Sequence, residues 1–208
     1  MKRLIVTTDG SAIMNENGNY DSAYAFVIFK DYEVYKQEAG FLRGKTNNYA
    51  EAYAIYKSTK YIVENMKDEF DQILIVTDSD LCFKSLTTWM YGWLKNTDNE
   101  RLINSTGQLV KNQELLKSAF INILMLMLKV DVKLCHVNSH QSQKEKIKMY
   151  EKMNKVIPDL LYEEFELIYT GNDMCDINAR NKLKSEIKFN KQICKHNLTI
   201  PFKFYILF

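Results

Sequence analysis

Glycine and proline are scarce, seven and two in a chain of 208 residues. An all-β protein needs many tight turns, so this scarcity speaks against a sandwich or barrel and for a mixed α/β or α-rich chain. Cys82, Cys135, Cys175 and Cys194 contain no CxxC pair and no regular spacing. Neither a zinc ribbon nor a disulfide framework is signalled, and free thiols in a reducing compartment are expected. Long apolar runs are also missing. The longest, Ala119 to Leu128, is interrupted by Asn122 and reaches about half of the ~20 residues a membrane span requires. The stretch between Arg3 and Asp9 is too short for the apolar centre of a signal peptide. A cytoplasmic protein without a membrane span is therefore expected, in a host cytoplasm if the Lys-, Asn- and Ile-rich composition reflects a viral or phage gene. The net charge is only +2, which neither demands nor excludes nucleic acid, because a local basic face can exist without a large net charge.

What is present suffices to fill a core. With 46% hydrophobic and 12% aromatic residues, the chain is most simply one domain with elaborations, assigned to residues 1–190 and followed by an apolar tail, 191–208. Ile5-Val6-Thr7-Thr8 runs into Asp9-Gly10-Ser11 and reads as a strand that delivers a carboxylate to its end. Ala23 to Lys30 and Glu33 to Phe41, separated by the turn Asp31-Tyr32, complete an antiparallel meander of three. Lys45-Thr46-Asn47-Asn48 supplies N-cap chemistry, and Tyr49, Ala52, Tyr53, Tyr56, Tyr61 and Ile62 keep helical spacing in a helix from Tyr49 to Met66. Ile73 to Thr77 is continuously apolar, as a strand buried on both faces should be, and leads into Asp78-Ser79. Beyond it the pattern predicts one or two short helices from Leu81 to Leu94, a polar loop from Thr97 to Gly107, a long amphipathic helix from Gln108 to Leu128, and a fifth strand from Val130 to Val137. Residues 141–171 begin basic (Lys144, Lys146, Lys148) and end acidic (Glu163, Glu164, Glu166), and read as a helical insertion. A last helix is expected from Asp173 to Phe189. The tail from Asn197 to Phe208 is apolar and β-prone, with Pro201 arguing against a central strand.

Six short motifs occur in order: Asp9-Gly10-Ser11, Thr46-Asn47-Asn48-Tyr49-Ala50-Glu51, Thr77-Asp78-Ser79, Trp89-Met90-Tyr91-Gly92-Trp93, Val137-Asn138-Ser139-His140, and Gly171-Asn172-Asp173-Met174-Cys175-Asp176-Ile177-Asn178-Ala179-Arg180. Each alone arises easily by chance. Together they resemble the type 1 ribonuclease H family, enzymes that cut the RNA strand of an RNA–DNA hybrid. The pieces are similar to that family's DGS, TNNxxE, TDS, paired tryptophans, VxGH and NExCDxLAR. The resemblance covers roughly residues 3–185 with one long interruption. It implies an α/β, RNase H-like fold: a five-stranded mixed sheet, three antiparallel strands then two parallel, flanked by helices, with a helical insertion before the last catalytic helix.

Chemistry gives an independent reason to gather these acids. Hydrolysing a phosphodiester requires an activated water and a stabilised leaving oxygen, which two divalent ions about 3.5–4 Å apart supply together. Hard cations such as Mg2+ prefer oxygen ligands with open water positions. By the resemblance, Asp9, Glu51, Asp78 and Asp176 are the ligands of two Mg2+ ions, with Mn2+ as a substitute. Taken singly, a strand-end Asp before Gly-Ser is as well explained as a turn former or cap. Four carboxylates in one pocket are not, because they repel each other. Asp173 and Asp176, three apart on one helix, share nearly one face; the Cys-Asp-x-x-Ala-Arg match selects Asp176 and leaves Asp173 as a helix-start acid favoured by the dipole.

His140 reads as a general acid or proton shuttle, because an ordinary pKa near 6.5 lets it exchange protons around neutrality; the resemblance implies that it sits on a mobile loop beside the metals and helps product leave, against the plainer reading of a surface histidine. Gly10, Ser11, Asn15, Thr46, Asn47 and Asn48 are implied substrate contacts, although capping alone also accounts for the Thr46–Asn48 segment. The implied partner is an RNA–DNA hybrid, cleaved to 5′-phosphate and 3′-hydroxyl ends by a monomer, or by a dimer joined through the tail. His136 and His196 read as structural or exposed, and Trp89 and Trp93 as core packing. Two rivals remain: a nuclease of the same fold acting on other nucleic acid structures, and a catalytically idle hybrid-binding module.

Three departures from the family pattern stand out. Asp80 occupies a position where a glutamine is usual, adding a negative charge near substrate. Leu94 to Arg101 mixes charge signs where the family carries a basic protrusion, and Lys144, Lys146 and Lys148 are candidates to compensate. The gap between His140 and Asp176 is far longer than in bacterial relatives.

Overall fold

The computed structural model describes residues 1–16, 18–66, 70–139 and 141–195. His140, His196 and the apolar tail from 197 to 208 lie outside the described residues. The chain runs β1 (Arg3–Met14), β2 (Tyr20–Lys30), β3 (Glu33–Leu42), α1 (Asn47–Asn65) and β4 (Gln72–Thr77). A helical run follows, made of α2 (Asp80–Lys84), a π-helical turn (Ser85–Trp89) and α3 (Met90–Lys95), then a small hairpin of β5 (Thr97–Asp98) and β6 (Arg101–Leu102). The chain ends with α4 (Gln113–Met127), β7 (Asp131–His136), α5 (Gln143–Asn154) and α6 (Tyr162–Lys195).

The main sheet has the order β3-β2-β1-β4-β7. β1/β2 and β2/β3 are antiparallel, while β1/β4 and β4/β7 are parallel, which is the expected mixed sheet. Side chains alternate across a strand, so the apolar runs feed two cores. Leu4, Val6, Phe26, Ile28, Ile73 and Ile75 face α1 and α4, while Ile5, Ala25, Val27, Leu74 and Val76 face α6 and the segment before it. No described helix is long and apolar enough to cross a membrane.

Four boundaries differ from the sequence reading, each for a physical reason. β1 does not end at its acid; it runs on to Met14 because β2 continues to pair with it as far as Met14↔Tyr20. β4, in contrast, stops at the pair Thr8↔Thr77, so Asp9 is the first β1 residue with no β4 neighbour. The helix expected from Gln108 begins at Gln113, because Asn104 Oδ1 accepts from the Thr106 and Gln108 amides and holds that stretch in a turn. The expected loop from Thr97 contains the β5/β6 hairpin, turned by positive φ at Asn99 and Glu100.

The fourth difference bears on the site. The second half of the expected insertion and the last helix are one 34-residue helix, α6, about 50 Å long. Gly171, which reads as a helix start in the sequence, is instead a contact. A Cβ there would lie 2.5 Å from Thr7 Oγ1 and 2.6 Å from Phe29 Cε2, so glycine lets α6 sink onto β1 and β2. One turn on, Cys175 Sγ donates to the Thr7 carbonyl at 3.2 Å. Asp173 is accordingly about three turns inside α6, and the dipole argument for it as a helix-start acid fails.

Candidate active site

The acids converge where the parallel strands end. Asp9 points from β1 just past the last β4 pair, and Asp78 follows β4 directly. Glu51 comes from α1 just beyond its first turn, and the helix cap Thr46 accepts from the Tyr49 amide at 3.4 Å. Gly10 brings α1 this close: a Cβ at position 10 would sit 2.6 Å from Glu51 N and 2.9 Å from the Ala50 carbonyl carbon. Asp9, Glu51 and Asp78 each offer a carboxylate oxygen, and these lie within 4.8 Å of one another. They open on a cleft of about 280 Å³ whose far wall is α6, with Asn172, Asp173, Asp176 and Arg180.

The electrostatics are those of crowded acids. Asp9 is 5% exposed and its Oδ1 accepts from the Gly10 amide at 2.7 Å. Burial, then the Asp78 charge and, more weakly, that of Asp176 push its carboxyl up to about 7. Glu51 is also held well above the carboxylate range, by burial first and then by Asp9 and Asp78. Its Oε1 accepts from Asn47 Nδ2 at 3.3 Å, while its Oε2 is buried with no hydrogen-bond partner. Asp78 is half-buried. Its backbone is fixed by His136 Nε2, which donates to the Asp78 carbonyl at 3.2 Å, and by the Ser79 amide, which donates to Thr77 Oγ1 at 3.1 Å.

A buried carboxylate oxygen left unpaired is destabilising unless something positive meets it. Three carboxylates this close fit a hard divalent cation, which takes oxygen ligands and reverses their mutual repulsion. Asp176 faces the same cleft but stands outside the close set of three, and its Oδ1 is engaged by Arg180 Nε at 2.7 Å.

The expected substrate residues divide. Gly10, Ser11 and Asn47 line the acidic cleft. Thr46 and Asn48 line a neighbouring groove with Trp89, Trp93, Leu109 and Val110. Trp89 is therefore not the core residue expected, being 38% exposed with its ring 5.9 Å from that of Trp93, whereas Trp93 is half-buried and packs against the core as expected. Asn15 sits in the β1–β2 turn, where its Nδ2 donates to Asp21 Oδ2 at 3.2 Å, and it does not line the cleft. Asp80 is exposed and paired with Lys84 at 2.7 Å, which offsets the extra negative charge.

Ser139, Asn172 and Arg180 carried no role of their own in the sequence reading, although they stand inside the quoted motifs. Asn172 is 2% exposed and its Oδ1 has no hydrogen-bond partner. Among the described residues it and Glu51 hold the buried side-chain polar atoms left unpaired, and both line this cleft.

Comparison with known proteins agrees with this arrangement. The RNase H family model matches residues 1–184. Ribonuclease H of Neorickettsia sennetsu is 29% identical over 115 residues, which span 55% of this chain and 69% of that protein. Ribonuclease HI of Campylobacter jejuni is 32% identical over 96 residues, 46% of this chain and 59% of that protein. The RNase H domain of PFV, at 19% identity, superposes with a TM-score of 0.63 over 89% of this chain and 96% of its own, and shares the fold. With a family match from residue 1 to residue 184 and the family's sheet order built around three clustered carboxylates, this chain belongs to the RNase H family.

Proposed function

We propose that this chain is a divalent-metal-dependent endoribonuclease that hydrolyses the RNA strand of RNA–DNA hybrids, leaving 5′-phosphate and 3′-hydroxyl ends. The observation that carries this reading is the gathering of Asp9, Glu51 and Asp78 within 4.8 Å in a chain of the RNase H family. Beyond burial, the Asp78 charge raises the pKa of Asp9 and of Glu51, and Asp9 raises that of Glu51, so their proximity opposes folding unless a cation joins them. Asp9, Glu51 and Asp78, with Asp176 across the cleft, would hold two Mg2+ ions, or Mn2+. Bound there, such ions would supply activation of a water nucleophile near neutral pH and charge compensation at the phosphate and the leaving oxygen.

The chain's own side chains prepare that site. The Gly10 amide holds Asp9, Asn47 holds Glu51, and Arg180 holds Asp176. Arg180 is half exposed at the cleft, where a guanidinium can also meet a phosphate oxygen. Asn47 and Ser11 offer amide and hydroxyl groups that can read a ribose 2′-hydroxyl. Thr46, Asn48, Trp89 and Trp93 offer a second polar and aromatic surface to the duplex beyond the cleft. His140 is the candidate general acid or proton shuttle, and its chain neighbour Ser139 lines the cleft. The enzyme would act in the cytoplasm as a monomer.

Cleavage of matched RNA–DNA hybrid, double-stranded RNA and double-stranded DNA, each with Mg2+ and with chelator, tests the proposal. Mg2+-dependent cutting of the hybrid's RNA strand alone is expected. Cutting of another substrate with the hybrid spared would replace it with a different nuclease specificity, and hybrid binding without cleavage would replace it with an idle binding module.

A further inference from the structure

The cations on the two sides of the cleft are disposed differently. Beside the Trp89 and Trp93 groove, three of them sit with acids: Lys84 with Asp80 at 2.7 Å, Arg101 with Asp98 at 3.3 Å and Lys117 with Glu114 at 2.9 Å. Only Lys95 and Lys111 remain on that side from residue 80 to residue 117. The electrostatic grip expected of a protein on a polyanion is therefore weak there.

α5 shows the opposite pattern. Lys144, Lys148, Lys152 and Lys155 are all exposed, and among the described residues none of them is in an ion pair. Their spacing of four, four and three residues keeps them within an arc of about 80° along about 16 Å of helix. Glu151 is the one acid among them. Glu145 is held below the usual carboxylate range chiefly by Ser142, whose hydroxyl and backbone N–H both donate to it, and only weakly by Lys148 one turn on. The opposite face of α5 is apolar: Met153 is buried, and Met149 and Tyr150 pack against the α6 core.

The N-terminal end of α5 is fixed at the margin of the cleft. Ser139 lines the cleft. Two residues on, Gln141 Oε1 accepts from the Tyr169 hydroxyl at 2.7 Å, and the Lys146 ammonium lies 4.5 Å from the Tyr169 ring centroid. Tyr169 precedes the cleft residue Asn172 by one turn of α6. The lysine row thus begins beside the acidic site and extends from it along α5.

We propose that the outer face of α5, formed by Lys144, Lys148, Lys152 and Lys155, is a docking surface for the phosphate backbone of the nucleic acid duplex being cut in the adjacent cleft. This rests on the reading of the cleft as a hybrid-cleaving site. Lysines are point charges on flexible stems, so such a surface contributes affinity and orientation without sequence preference. It acts only on duplexes long enough to reach α5 from the cleft.

The full chain and its Lys148→Gln/Lys152→Gln variant test this with RNA–DNA hybrids of about 30 and about 8 base pairs, the latter under 30 Å long at ~3.4 Å per pair. In the variant the KM preference for the long over the short hybrid is expected to fall about tenfold near physiological salt, and the slope of log K against log salt to fall by about 2, one per lost phosphate contact. An unchanged preference and an unchanged slope would overturn the proposal. Anisotropy with the labelled long hybrid in chelator separates this from the catalytic reading. Weaker binding by the variant supports the docking surface even if the wild type proves unable to cut, whereas equal binding by both overturns it even if cleavage is confirmed.

Discussion

Replacing Asp9 by asparagine should stabilise the metal-free protein, and the gain should depend on pH in a way no packing effect would. The Asp9 carboxyl titrates near 7 where its ordinary value is 3.8, which disfavours its charged form by about 4 kcal/mol at 1.36 kcal/mol per tenfold. The folded state holds the proton more tightly than the unfolded chain does. Stability from this group is therefore complete below the unfolded value near 4 and is lost as pH rises toward 7. Asparagine carries no charge at any pH and its Oδ1 can keep the Gly10 amide bond, but its amide must still be desolvated. A net gain of about 2 kcal/mol at pH 8 is expected, or about 4–8 °C in Tm for a chain of this size, with little gain at pH 4.5. The assay is urea and thermal unfolding in chelator at several pH values. Adding Mg2+ or Mn2+ at pH 8 should then raise the Tm of the wild type by mass action and that of the variant much less. A variant equally or less stable than wild type at pH 8 in chelator would refute the reasoning, because it would mean that the Asp9 charge is not opposed in the fold.

Gly10→Ala places a methyl group 2.6 Å from Glu51 N, so α1 must move from β1; a loss of about 1–3 kcal/mol with a sharp fall in turnover and in metal-induced stabilisation is expected, read by unfolding and by thermal shift with Mn2+. Glu164→Gln leaves Arg3 buried without its carboxylate partner, for which about 3–5 kcal/mol of destabilisation is expected. If urea unfolding shows less than 1 kcal/mol, that ion pair does not tie α6 to β1 as the contacts indicate.

β1, β2 and β4 were legible in the sequence because they are buried on both faces over most of their length and read as apolar runs, whereas the partly exposed β3 and β7 were marked by the turn before one and the patterning of the other. The acid at position 9 was legible as a strand end, but the continuation of β1 was not: Gly10-Ser11-Ala12 is strand only because β2 pairs with it, a long-range fact. Glu51 shows nothing local that marks it. Its place depends on Gly10 admitting α1, so only the TNNxxE motif revealed it. Gly171-Asn172 imitates a helix start because a glycine's packing role and its breaking role look alike in one dimension. Trp89 and Trp93 keep the spacing of core residues, and whether that face is covered depends on the turn around Asn104. Asn172 and Arg180 lacked assigned roles for the same reason: each gains significance only from the cleft it lines.

The most direct test is cleavage of a hybrid labelled on its RNA strand by wild type and Asp78→Asn, with Mg2+ or chelator, alongside circular dichroism of both proteins. Asp78→Asn removes one of the three clustered charges with little change in size. Mg2+-dependent RNA cleavage by wild type is expected, with a loss of at least a thousandfold, about 4 kcal/mol in the barrier, in a variant that keeps its fold. Full activity in folded Asp78→Asn, or wild-type cleavage that persists in chelator, would contradict the assignment of the cleft.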